Sequence, residues 1–186
     1  MILVLENEGV RLNEISDHEK QAIVWDYYKP RHTHAWNMLV LSWRALDEPA
    51  SDVTELMEDE YHWENFIIRL WLYRVTVKTL TQLNNVNAEA REILARFDRN
   101  FEIDGQNGLK AIRDMIEHFD DYAAGKGRGP ATRDGELDPW RAVSRDRFER
   151  GKYSIERALA YDAAIRLRSD AKSVSDAFIA WYKASK

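Results

Sequence analysis

Residues 52–83 read DVTELMEDEYHWENFIIRLWLYRVTVKTLTQL, and this stretch decides the fold class. Leu56, Tyr61, Trp63, Phe66, Ile67, Leu70, Trp71, Val75 and Leu80 recur at three- and four-residue intervals, as one long helix with an apolar stripe requires. Ser51 or Asp52 caps that helix, and Glu55 stands where a capping box with Asp52 needs a carboxylate. It runs to Leu83, where Asn84, Asn85 and Asn87 end it and cap the next. The aromatic stripe over 61–73 reads as core rather than as a cofactor box or base-stacking platform.

Working outward, residues 14–28 predict a first helix with Ile15, Ala22, Ile23, Trp25 and Tyr27 as its apolar content, and Pro30 is expected to interrupt or kink it. A second helical stretch covers 33–46, with Trp36, Leu39, Val40 and Trp43 at i, i+3, i+4 and i+7. Downstream, 88–100 is helical and Gly105–Gly108 is a turn or helix start. Residues 107–124 then carry Leu109, Ile112, Ile116, Phe119 and Ala123 as one stripe. Gly125, Gly127, Gly129 and Pro130 mark a loop reaching Glu136. Trp140, Val143, Phe148, Tyr153 and Ile155 around Arg150-Gly151 suggest a β-hairpin, with a helix over 139–149 as the competing reading. Residues 157–184 are helical, their buried face supplied by Leu159, Ala163, Leu167, Val174, Phe178 and Trp181. The sum is an all-α protein: an up-and-down bundle of five or six helices in a single domain over 1–186, with a small β-hairpin near residues 139–156.

Composition bounds the function. An apolar fraction of 45% and a charged fraction of 32% belong to a globular chain rather than a disordered one. The absence of cysteine excludes disulfides, thiolate metal sites and Cys nucleophiles. Met1–Leu5 is apolar but runs into Glu6 and Glu8, too short for a signal segment, and no apolar run reaches a membrane span, so a cytoplasmic protein is expected. A net charge of −5 argues against a general nucleic-acid binder. The charge is uneven, however: residues 1–124 hold 13 basic and 23 acidic side chains, and 125–186 hold 14 and 9. A local basic surface on an acidic molecule is compatible with that split, as is a solvated helix face of mixed charge.

The chemistry centres on Leu109-Lys-Ala-Ile-Arg113-Asp114-Met-Ile-Glu-His118-Phe-Asp-Asp-Tyr122. Asp114 and His118 stand at i, i+4, so on a continuous helix they share a face and can hydrogen-bond, which would fix the imidazole tautomer. Arg113 lies about 140° around and about 7.5 Å along from His118, and its planar donors suit phosphate oxygens. Arg followed after four residues by His, with a polar residue directly after the Arg, resembles the motif of the HEPN superfamily (higher eukaryotes and prokaryotes nucleotide-binding), and the wording around it looks like the abortive-infection branch. Arg11 and His18 satisfy the spacing as well; the periodic helix and the glycine-rich loop that follows single out the second match.

The resemblance implies an all-helical, metal-independent endoribonuclease or toxin-type domain without a cofactor. His118 would be general acid or base on RNA, Arg113 would stabilise the scissile phosphate and Asp114 would orient His118. It implies a homodimer whose two protomers combine their Arg and His, with an RNA substrate and an antitoxin protein as partners. Lys126, Arg128 and Arg133 on the loop are the candidate RNA contacts. The sequence departs from one toxin branch in carrying Asp120, not Tyr, two residues after His118. The alternative is a non-catalytic helical protein–protein interaction module, in which Arg113 and Glu117 form an i, i+4 surface pair of ~0.3–0.5 kcal/mol. Elsewhere, Arg31-His32-Thr-His34 and Glu58-Asp59-Glu60-Tyr-His62 hold histidines, but a di-iron bundle wants two Glu-x-x-His pairs, and Asp59-x-x-His62 is a single near match. No metal is expected.

Overall fold

The structure, a computed structural model, describes residues 15–47, 55–118 and 141–185. Five α-helices dominate it: α1 (Asp17–Ala45), α2 (Glu55–Lys78, continued by a 3-10 turn at Thr79–Gln82), α3 (Asn87–Arg99), α4 (Gly108–Glu117) and α5 (Arg157–Ala184). Two small antiparallel units accompany them. One is a hairpin of β1 (Glu102–Ile103) and β2 (Gln106–Asn107). The other is a three-stranded meander of β3 (Arg141–Val143), β4 (Arg147–Arg150) and β5 (Tyr153–Glu156). The bundle and the strands near 139–156 match the sequence reading. No described helix is long and apolar enough to cross a membrane.

α1 begins at Ser16, whose hydroxyl accepts the Glu19 backbone N–H while the Glu19 carboxylate accepts the Ser16 N–H, a closed capping box. The expected break at Pro30 does not occur; one 29-residue helix replaces the two that were anticipated. An interior proline costs a helix about 3 kcal/mol, but here packing on both sides opposes the break. Tyr28 and Trp36, flanking Pro30, are both buried, and Pro30 itself is exposed.

α2 runs antiparallel to α1. His32 meets Tyr73, Trp43 meets Phe66, and Gln21 spans to the end of the 3-10 turn, donating to the Gln82 carbonyl and accepting the Asn84 N–H. The predicted stripe on α2 is the core at Trp63, Phe66, Ile67, Leu70 and Leu80, yet Tyr61 and Val75 face solvent. α5 lies antiparallel to α1 through Trp36 and Trp43 on Tyr161, Trp25 on Phe178 and His18 on Tyr182. On α5 the buried face is Ala160, Ala163, Ala164, Leu167, Ala171, Val174 and Phe178, in the expected register; Leu159 falls outside it, exposed beside the buried Ala160.

The α3–α4 connection is tighter than a plain turn. Asp104 and Gly105 both take positive φ, 49° and 73°, which closes the β1–β2 hairpin. Gly108 donates to the Phe101 carbonyl at 2.7 Å, and a Cβ there would stand 3.0 Å from that oxygen. The absence of a side chain therefore lets α4 start against α3. The long sequence stripe at 107–124 is described as helix only to Glu117; Phe119 and Ala123 lie outside the described residues.

Candidate functional site

α4 positions the candidate residues. Asn107 caps it, its side chain accepting the Lys110 N–H at 3.0 Å. Leu109, Ala111, Ile112 and Met115 are buried, fixing the helix by one face and turning Arg113, Asp114 and Glu117 toward its partly open side.

Arg113 is braced from several directions. Its Nη1 donates to Asp114 Oδ1 at 2.8 Å, and its Nη2 lies 2.5 Å from Glu117 Oε2. The guanidinium carbon stands 5.8 Å from the Trp71 ring centroid, at the outer edge of a cation–π contact. Arg74 approaches the same ring at 5.1 Å and is itself gripped by both oxygens of Asp98, at 3.0 and 2.5 Å. The Arg113 Nε is buried without a hydrogen-bond partner among the described residues. Two carboxylates and an indole thus hold one guanidinium that remains 23% exposed.

Asp114 also binds Lys110 Nζ at 2.5 Å. Burial alone would raise its carboxyl pKa, but the hydrogen bonds and charges of Lys110 and Arg113 outweigh that and hold it below the usual carboxylate range. The expected Asp114–His118 side-chain bond is not what joins these residues. His118 is where α4 ends, at φ −121°, and its link to Asp114 is its backbone N–H donating to the Asp114 carbonyl at 3.0 Å. A side-chain pair at i, i+4 needs helix through the second residue, and here the helix stops one residue short. The Asp114 carboxylate therefore orients Arg113 and Lys110. The His118 ring is exposed.

Arg113 and Asp114 meet on α4 and His118 closes that helix, whereas Lys126, Arg128 and Arg133 lie outside the described residues. Trp71, Lys110 and Glu117 are site neighbours. Lys110 and Glu117 were readable as i, i+4 partners, but nothing in the sequence tied Trp71 to α4.

The other histidines do different work. His32 Nε2 sits 2.9 Å from the Tyr73 hydroxyl in a nest of Tyr28, Tyr73 and the nearby Arg168. Burial, reinforced by the Arg168 charge, pushes the His32 pKa down from 6.5 to about 4, and burial pushes the Tyr28 hydroxyl up to about 12. Among the described residues no group of three or more His, Asp or Glu side chains gathers as a metal site. No protein-family profile, curated protein or solved structure matches the chain.

Proposed function

We propose that the chain is a HEPN-like, metal-independent endoribonuclease or toxin-type domain acting on RNA phosphodiesters through Arg113 and His118. The observation that supports this reading is an exposed imidazole at the C-terminal end of α4, five residues on from a guanidinium held in place by Asp114 and Glu117. In the proposed reaction His118 takes the proton of a ribose 2′-hydroxyl, the 2′-oxygen attacks phosphorus, and the bond to the 5′-oxygen breaks. The proton is returned to the leaving 5′-oxygen. Arg113 neutralises the charge that builds on the phosphoryl oxygens, and for this one of its two carboxylate contacts has to yield to phosphate. Asp114 supports Arg113 rather than His118. A second protomer supplying its own pair, and an antitoxin masking it, complete the proposal. The loop residues Lys126, Arg128 and Arg133 would track the RNA backbone.

The second reading, a non-catalytic interaction module, is favoured by a different observation. Both terminal nitrogens of Arg113 are already paired, with Asp114 and Glu117, as a structural ion-pair network would leave them. One experiment separates the two. Purified protein and His118→Ala are incubated with single-stranded RNA in the presence of EDTA. Cleavage by the parent and not by the variant supports the nuclease; equal or absent cleavage in both removes it and leaves the interaction module.

A further inference from the structure

Among the described residues, α1 exposes Ile23, Tyr27 and Leu41, and α2 exposes Tyr61, Leu72 and Val75. At about 100° per residue each trio falls within about 60° of arc, so the two helices present one apolar strip. The strip is concave. Ile23, Tyr27 and Val75 line a groove of about 530 Å³, and Ala35, Met38 and Leu72 line a second of about 350 Å³. Apolar surface gathered this way marks a docking face rather than scattered exposure. The charges in the grooves are of one sign. Lys78 lines the first, Arg31 and Arg69 line the second with His34, and among the described residues no carboxylate lines either. Nor does any described carboxylate pair with these cations. Arg31 lies over the Tyr27 ring and bonds its hydroxyl, and Arg69 donates to Asn65 Oδ1 at 3.3 Å. Elsewhere Arg74, Arg96, Arg113 and Arg157 are each held by an Asp or a Glu. On a chain of net charge −5, cations left without acids around an apolar groove call for a partner that supplies the acids.

We propose that this face docks an acidic amphipathic helix of another protein, whose apolar side chains enter the two grooves while its carboxylates meet Arg31, Arg69 and Lys78. Along α1 the first groove centres about ten residues before the second, about 15 Å. The docked helix therefore carries apolar anchors about three turns apart, with Asp or Glu beside them, in the helix-in-groove mode. Other occupants fit less well. A second copy of this chain would bring the same unpaired cations to the contact. Single-stranded RNA needs open rings for its bases, and the Tyr27 ring is covered by the Arg31 guanidinium at 3.6 Å. A bilayer surface takes an apolar stripe that stands proud, whereas these apolar groups line hollows. The acids nearest the strip do not neutralise it: Asp26 lies about 60° outside the α1 arc, and Glu64 faces Arg150.

The proposal does not rest on the nuclease reading, since peptide binding and RNA cleavage are separate measurements. The probe is a fluorescein-labelled helical peptide of about 20 residues, about 30 Å long, with Leu at the anchor positions and Glu beside them. Its twin has Lys for every Glu. By fluorescence anisotropy the acidic peptide should bind with a Kd of about 1–100 µM, weakening several-fold as salt rises from about 0.05 to 0.3 M, and the basic twin should not bind. Arg31→Glu with Arg69→Glu should weaken the acidic peptide by more than about tenfold and admit the basic twin. Leu72→Glu should also weaken it by more than about tenfold, and Glu92→Lys on α3 should leave it unchanged. Helical spectra and Tm should match the parent in each variant. The salt response and the contrast between the twins are read on the parent, so they decide the matter even where a variant fails to fold. No binding of the acidic peptide at about 0.5 mM overturns the proposal. So does a basic twin that binds the parent equally well, or a charge reversal that leaves the acidic peptide's affinity intact. Oligouridylate or phosphatidylglycerol vesicles that bind the parent in place of the peptide, and not the double variant, assign the face to RNA or lipid instead.

Discussion

His32 and His118 are both helix-borne, and their surroundings divide the molecule into two regimes. His32 is packed among Tyr28, Tyr73 and Arg168 where α1, α2 and α5 meet, and burial keeps its ring neutral far below the ordinary imidazole range. His118 is where a helix stops, with its ring in solvent and its backbone bonded to Asp114. The first is bound to a neutral partner in a nest of rings, where protonation costs stability. The second stands exposed at the end of α4, tied to the helix only through its backbone N–H. The same side chain is a packing element in one region and a candidate reagent in the other, and the difference is made by burial and partners.

The comparison breaks most visibly at His118. If that ring is the acid–base group, His118→Ala should lower RNA cleavage by about 10²–10⁴-fold while leaving Tm within a degree or two of the parent. His32→Ala should do the reverse, lowering Tm with cleavage per folded molecule retained. Initial rates beside thermal melts measure both, and a His118→Ala protein that melts markedly early would show that His118 is structural as well.

The next largest effect is a pH dependence belonging to His32 alone. Its pKa falls from 6.5 to about 4 on folding, so as pH drops the unfolded chain takes up the proton first. Its contribution to stability is whole above pH ~6.5 and is lost as pH falls from there toward ~4, by at most about 3 kcal/mol. Urea titrations of the parent and of His32→Gln between pH 7 and 4 should converge as the medium becomes acidic. Parallel curves would mean that His32 titrates normally.

What the sequence disclosed follows the same division. The α2 stripe at Trp63, Phe66, Ile67 and Leu70 and the span of the last helix were legible because burial imposes a period that no local preference disturbs. Pro30 misled for the opposite reason: a local rule was outweighed by aromatic packing from α2 and α5, which no window of α1 contains. At the candidate site, Arg113, Asp114 and Glu117 were legible as helix neighbours. That α4 ends at His118, so that Asp114 turns to Lys110 and Arg113, depends on where the helix stops. Boundaries are the least local feature of a helix. Trp71 beneath Arg113 was illegible altogether, because the residues between them say nothing of how α4 crosses α2.

Two smaller effects sharpen the contrast. Tyr73→Phe removes the hydroxyl at 2.9 Å from His32 Nε2 and leaves a buried ring nitrogen without its partner. The expected cost is about 1–2 kcal/mol, read from chemical denaturation. Glu117→Gln acts on the other regime and should barely move stability, by about 0.3–0.5 kcal/mol, as an i, i+4 pair of this exposure would. Its interest lies in Arg113. Losing one carboxylate frees Nη2 while Asp114 still holds Nη1, so a phosphate meets less competition for the guanidinium. In the nuclease reading KM for RNA should fall by about two- to threefold with kcat little changed, since a ground-state competitor has been removed. In the interaction-module reading the substitution should leave every RNA measurement flat. An increase in KM would place Glu117 on the substrate side, as the group that aims Arg113 rather than one that occupies it.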